Sequence, residues 1–110
     1  MSLFEVIQQY AEKCAEEKKL ASEMSIRDVE HGLKTGPLAS RMIKATDYSA
    51  RLSSSEMEDQ EIVSRFKAAD NVIAKTLAAK ELENRGYLER DSNGKYVQTG
   101  KKLPNDFTSL

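Results

Sequence analysis

Leu82-Glu83-Asn84-Arg85-Gly86-Tyr87-Leu88-Glu89-Arg90-Asp91-Ser92-Asn93-Gly94-Lys95-Tyr96-Val97-Gln98-Thr99 is the stretch on which the fold turns. Up to Arg85 the apolar residues recur at helical spacing, and beyond Gly86 that period is lost. Gly86 stands where a helix closes on a residue of positive φ, which glycine adopts without a Cβ penalty. Tyr87–Arg90 and Lys95–Thr99 are predicted as two strands of a hairpin, with Asn93 and Gly94 supplying the positive backbone angles of its tight turn.

Upstream, no Pro or Gly interrupts the chain from Ser55 to Arg85, and Ile62, Phe66, Ala69, Ile73 and Leu77 form one stripe. Ser55 with Glu58 has capping-box spacing and predicts the start of this helix, after a Ser53–Ser55 linker. Asp70 and Asn71 are good cap residues, so the segment is one helix or two. Pro37 suits the first turn of an earlier helix reaching about Arg51, with Leu38, Met42, Ala45, Tyr48 and Leu52 on one face. Ser25 with Asp28 opens a short helix through Ile26, Val29 and Leu33, which Gly36 and Pro37 end. Ser2 with Glu5 opens the first helix, predicted over Leu3 to Glu23, with Leu3, Ile7, Tyr10, Cys14, Ala21 and Met24 on one side. The expected fold is mainly α, about four helices with a C-terminal β-hairpin, as a single domain over 1–100 and a flexible tail over 101–110.

The 110 residues suffice for one core. Seventeen Lys and Arg against 18 Asp and Glu, interspersed, describe a solvated surface rather than a polyelectrolyte. No apolar run is long enough to span a membrane, and the amino-terminal residues run straight into an amphipathic pattern containing Glu5 and Glu12. With a single cysteine, Cys14, no intrachain disulfide can form, so the expected location is the reducing cytoplasm. His31 is the sole histidine, so a zinc site fails on ligand count, and no metal or cofactor is expected. Cys14 lies on an apolar helix stripe, where a thiol behaves as a small hydrophobe. Carboxylates are scattered over charged helix faces and no Gly-rich loop follows a strand. No catalytic residue is assigned, and the chain is not expected to be an enzyme.

Leu77 to Arg90, continued by the Asn93-Gly94 turn and Tyr96-Val97-Gln98-Thr99, resembles the end of a winged helix-turn-helix domain. Leu82, Gly86, Tyr87 and Leu88 occupy the places where that family closes its recognition helix and enters the wing. The resemblance covers about a quarter of the chain and extends back toward Ile62. It implies a small DNA-binding transcription regulator, with the recognition helix in the major groove and the wing on phosphates. The residues it nominates for DNA are Lys75, Lys80 and Arg85 on the helix, and Lys95, Lys101 and Lys102 on the wing. Arg65 and Lys67 lie in the same locally basic stretch. Ser25–Val29 with Pro37–Ile43 also looks loosely like a helix-turn-helix.

A helix running into a hairpin also packs well for structural reasons alone, and such folds serve as protein-binding modules. The alternative function is therefore a non-catalytic protein–protein interaction module, an adaptor or inhibitor such as a mobile element carries. The broad stripe of the first helix, with Phe4, Ile7, Tyr10 and Cys14, either closes the core or pairs two copies as a homodimer.

Overall fold

The computed structural model describes residues 2–101. In chain order the elements are α1 (Leu3–Glu23), α2 (Ile26–Gly32), α3 (Leu38–Ser53), α4 (Asp59–Ala68), α5 (Val72–Asn84), β1 (Leu88–Arg90) and β2 (Tyr96–Gln98). Among these residues the chain is mainly helical with one C-terminal hairpin, and the helices number five rather than about four. Of the tail expected over 101–110, only Lys101 is among the described residues. No helix among them is long and apolar enough to cross a membrane. Two compact units divide after Tyr48, inside α3.

In the first unit the caps follow the sequence. Ser2 Oγ accepts the Glu5 amide at 3.2 Å, and Ser25 Oγ accepts the Asp28 amide at 3.1 Å, each satisfying a helix N–H that has no partner within its helix. The Arg41 amide donates to the Pro37 carbonyl at 3.0 Å, so Pro37 immediately precedes α3 and supplies its first acceptor rather than sitting inside its first turn. Val29 from α2, Leu33 just after it and Tyr48 from α3 are fully buried. The Tyr48 hydroxyl donates to a Glu30 carboxylate oxygen at 2.7 Å, tying α3 to α2. The expected α1 stripe is only partly covered: Ala21 is its one buried residue, while Leu3, Ile7 and Tyr10 are exposed.

The second unit decides one open reading and corrects one expectation. The 55–85 stretch is two helices, because Ala69 turns extended (φ -60°, ψ 126°) and Asn71 Oδ1 accepts the Ala74 amide at 2.8 Å, starting a new helix there. Ser55 and Glu58 form no capping box. Residues 54–57 are a turn, with the Met57 amide on the Ser54 carbonyl, and α4 starts after Glu58 without a side-chain cap. The break redirects burial. Instead of Ile73 and Leu77, α5 buries Ala74, Ala78 and Leu82 at four-residue spacing, facing a core with Leu52, Ile62, Val63, Tyr87 and Leu88.

The hairpin is antiparallel, with Leu88 opposite Gln98, Glu89 opposite Val97 and Arg90 opposite Tyr96. Its strands are shorter than expected. Gly94, at φ 79°, donates to the Asp91 carbonyl, while Asp91 Oδ1 accepts the Asn93 and Lys95 amides at 2.8 and 3.0 Å. This is a three-residue loop with glycine at its left-handed position rather than a two-residue turn.

Candidate nucleic-acid interface

What fixes the exposed parts of the second unit is the end of α5. The Gly86 amide donates to the Glu83 carbonyl and the Tyr87 amide to the Leu82 carbonyl, with Gly86 at φ 88°, a Schellman closure that directs Tyr87 and Leu88 back into the core. Arg85, one residue earlier, reaches inward. Its Nε donates to Glu81 at 3.0 Å and its Nη1 to Asp59 at 2.5 Å and the Met57 carbonyl at 2.8 Å. Its Nη2 donates to the Leu52 and Ser54 carbonyls at 2.9 and 3.2 Å. All five guanidinium N–H groups are engaged. The carbonyls in the 52–57 turn that lack helical partners are thus satisfied by a side chain from α5.

Asp59 completes the knot, accepting from the Tyr87 hydroxyl with its other oxygen. That bond, and then the one from Arg85, hold the Asp59 carboxyl below its ordinary pKa, although burial opposes them. The same Asp59 carboxylate, with burial, pushes the Tyr87 phenol up to about 12. Burial works against the charge of Arg85, but its bonds to Asp59 and Glu81 outweigh that and raise its pKa. Ser55, Met57, Glu58 and Gln60 rim an open depression of 440 Å³ over Asp59, Arg85 and Tyr87. Within it the Asp59, Arg85 and Tyr87 side chains are bonded to one another.

The hairpin is held to α5 by similar means. Arg90 pairs with Glu83 at 3.4 Å, and its guanidinium lies 4.8 Å from the Tyr96 ring while donating to the Tyr96 hydroxyl at 2.7 Å. Thr99 Oγ1 donates to the Gly86 carbonyl at 2.6 Å. Lys101 Nζ donates to the Arg85 carbonyl at 2.9 Å and sits 4.4 Å from the Tyr87 ring, neutralising the C-terminal end of α5.

The residues nominated for DNA therefore divide. Arg85 is drawn inward, with its donors spent on bonds within the fold. Lys101 caps α5, and Lys102 lies outside the described residues. Arg65 pairs with Glu61 at 2.9 Å on α4, beside exposed Lys67. Lys75 is exposed but turned to the Phe66 ring, 4.9 Å away, and lies about 140° around the helix from Lys80. Lys80 shares the outward face of α5 with Val72, Ile73, Thr76 and Asn84, all exposed, Val72 at 80%. Lys95 is exposed beside the hairpin loop. Of the α1 residues, Phe4, Ile7 and Tyr10 are exposed and Cys14 is half-buried. The Tyr10 phenol is raised chiefly by its hydrogen bond with Cys14.

Sequence reading missed the Asp59–Arg85–Tyr87 cluster. No periodicity links residues 26 apart, and the only local sign is an Arg inside a helix-closing Leu-x-x-Arg-Gly-Tyr string. Compared with protein-family models, curated proteins and solved structures, the chain matches none.

Proposed function

We propose that this protein is a small DNA-binding regulator of winged-helix type, in which α4 and α5 form the helix-turn-helix, α5 lies in the major groove and the β1–β2 hairpin is the wing. The observation that carries the reading is the uncovered outward face of α5. A helix whose far side is packed by Ala74, Ala78 and Leu82 presents Thr76, Lys80 and Asn84, able to bond bases or phosphates, and Val72 and Ile73, able to meet thymine methyls. The hairpin that follows brings Lys95 for phosphate. With few uncommitted cations, affinity for arbitrary sequence is modest and groove contacts carry the discrimination. The regulator acts as a homodimer in the cytoplasm, and the exposed apolar turns at the start of α1 support the pairing.

A second reading, a non-catalytic protein-docking module, is favoured by the commitment of Arg65, Arg85, Arg90 and Lys101 to internal partners. Amide chemical-shift mapping with a mixed-sequence duplex separates the two. DNA binding predicts shifts at Val72, Ile73, Thr76, Lys80 and residues 93–95 together, and an unperturbed spectrum contradicts it.

A further inference from the structure

Along α1 one seam runs through Leu3, Ile7, Tyr10, Cys14, Glu17 and Ala21 in alternating steps of four and three residues, the spacing of a helix that packs against another helix. Its second half is covered, Ala21 fully and Cys14 and Glu17 in part. Its first half and the residues flanking it are bare: Leu3 is 76% exposed, Ile7 58% and Tyr10 62%, with Phe4 at 74% and Val6 at 48% beside them. Five large apolar side chains at these exposures present on the order of 600 Å² per chain, as large as the biggest apolar patches that monomers ordinarily leave open.

We propose that these first turns of α1 dock against the same turns of a second copy, the two helices running antiparallel about a two-fold axis between Ile7 and Tyr10. The assignment rests on the homodimer reading and not on DNA binding. Two copies together bury on the order of 1,200 Å², the lower edge of stable interfaces. In this register Ile7 meets the partner's Tyr10, Leu3 meets the partner's Cys14, and bulky Phe4 lies opposite the partner's Ala11. Glu17 sets the direction. In a parallel pair the two Glu17 carboxylates face each other as like charges across the seam. In the antiparallel pair each approaches the first turn of the other helix, where N–H groups without intrahelical partners and the positive end of the dipole favour a carboxylate.

The test keeps the full chain and its native Cys14 and adds Leu3→Cys at an exposed position. Within one helix the two thiols are about 16 Å apart, too far to bridge, so any disulfide between them joins two chains. Under mild oxidation the variant forms a covalent dimer through the introduced thiol and the partner's Cys14, identified by peptide mass. The unmodified chain, dimeric by sedimentation at a concentration on the order of 100 µM, stays uncrosslinked because its two Cys14 thiols lie at opposite ends of the contact. Ile7→Asp abolishes the dimer with helical content unchanged. Crosslinking of the unmodified chain through Cys14, or a dimer that Leu3→Cys does not lock, overturns the antiparallel register alone. A dimer that survives Ile7→Asp overturns the surface, and a monomer at that concentration overturns the homodimer reading as well.

Discussion

Arg85 Nη1 and Asp59 Oδ1 meet at 2.5 Å across 26 residues of sequence, joining the last turn of α5 to the first turn of α4. The three-residue turn between these helices is therefore closed at its far end by an ion pair, and the direction in which α5 presents its outward face depends on it.

Replacing Arg85 with Ala takes a donor from the Asp59 and Glu81 carboxylates and from three backbone carbonyls, and is expected to cost about 3 kcal/mol. Arg85→Lys is expected to recover less than half of that loss, because an ammonium cannot reproduce the planar fork. Urea denaturation of the three proteins measures both, and a Lys variant as stable as the parent contradicts the clamp.

Stability is expected to fall at both ends of the pH range. The lowered pKa of Asp59 contributes stability present above its unfolded value of about 4 and lost as pH drops through the lower folded value. The raised pKa of Tyr87 contributes stability present in full below about 10 and lost as pH climbs from there through about 12. Ultraviolet titration of phenolate checks the second limb directly: the Tyr87 phenol ionises at about 12, and Tyr87→Phe lowers the high-pH amplitude by one phenol.

Gly86→Ala tests the Schellman closure. A Cβ there meets nothing nearer than the Lys101 side chain at 3.9 Å, so the cost is the left-handed backbone at φ 88° and not crowding. The expected loss is about 1 kcal/mol, with the hairpin retained. Thermal melts read it, and an unchanged Tm contradicts the assignment.

Asn71→Ala removes the acceptor for the Ala74 amide and is expected to cost about 1 kcal/mol. Hydrogen exchange at the first amides of α5 is expected to accelerate, marking where the helix begins.

The hairpin, the Gly86 stop, two of the three serine caps and the outer limits of most helices were legible because each is written in a few neighbouring residues. The turn at 69–71 was legible only as a possibility: Asp70 and Asn71 offered a cap, but the stripe from Ile62 to Leu77 ran straight through them. Ser55–Glu58 misled because its spacing is local, while the carbonyls of that turn are claimed by Arg85 from far along the chain. For the same reason Arg85 reads locally as one more cation at the end of α5. Its role depends on Asp59, Met57 and Leu52, which only the folded unit brings together.

The central claim, that α5 and the hairpin engage DNA, is tested most directly by anisotropy of a labelled random-sequence duplex titrated with the full chain at two salt concentrations. If Lys80 and Lys95 supply the phosphate contacts, binding has a Kd on the order of 10 µM near 50 mM salt, weakens about tenfold by 200 mM, and vanishes in Lys80→Glu/Lys95→Glu. No binding at the lower salt, or binding that the double variant leaves intact, contradicts it.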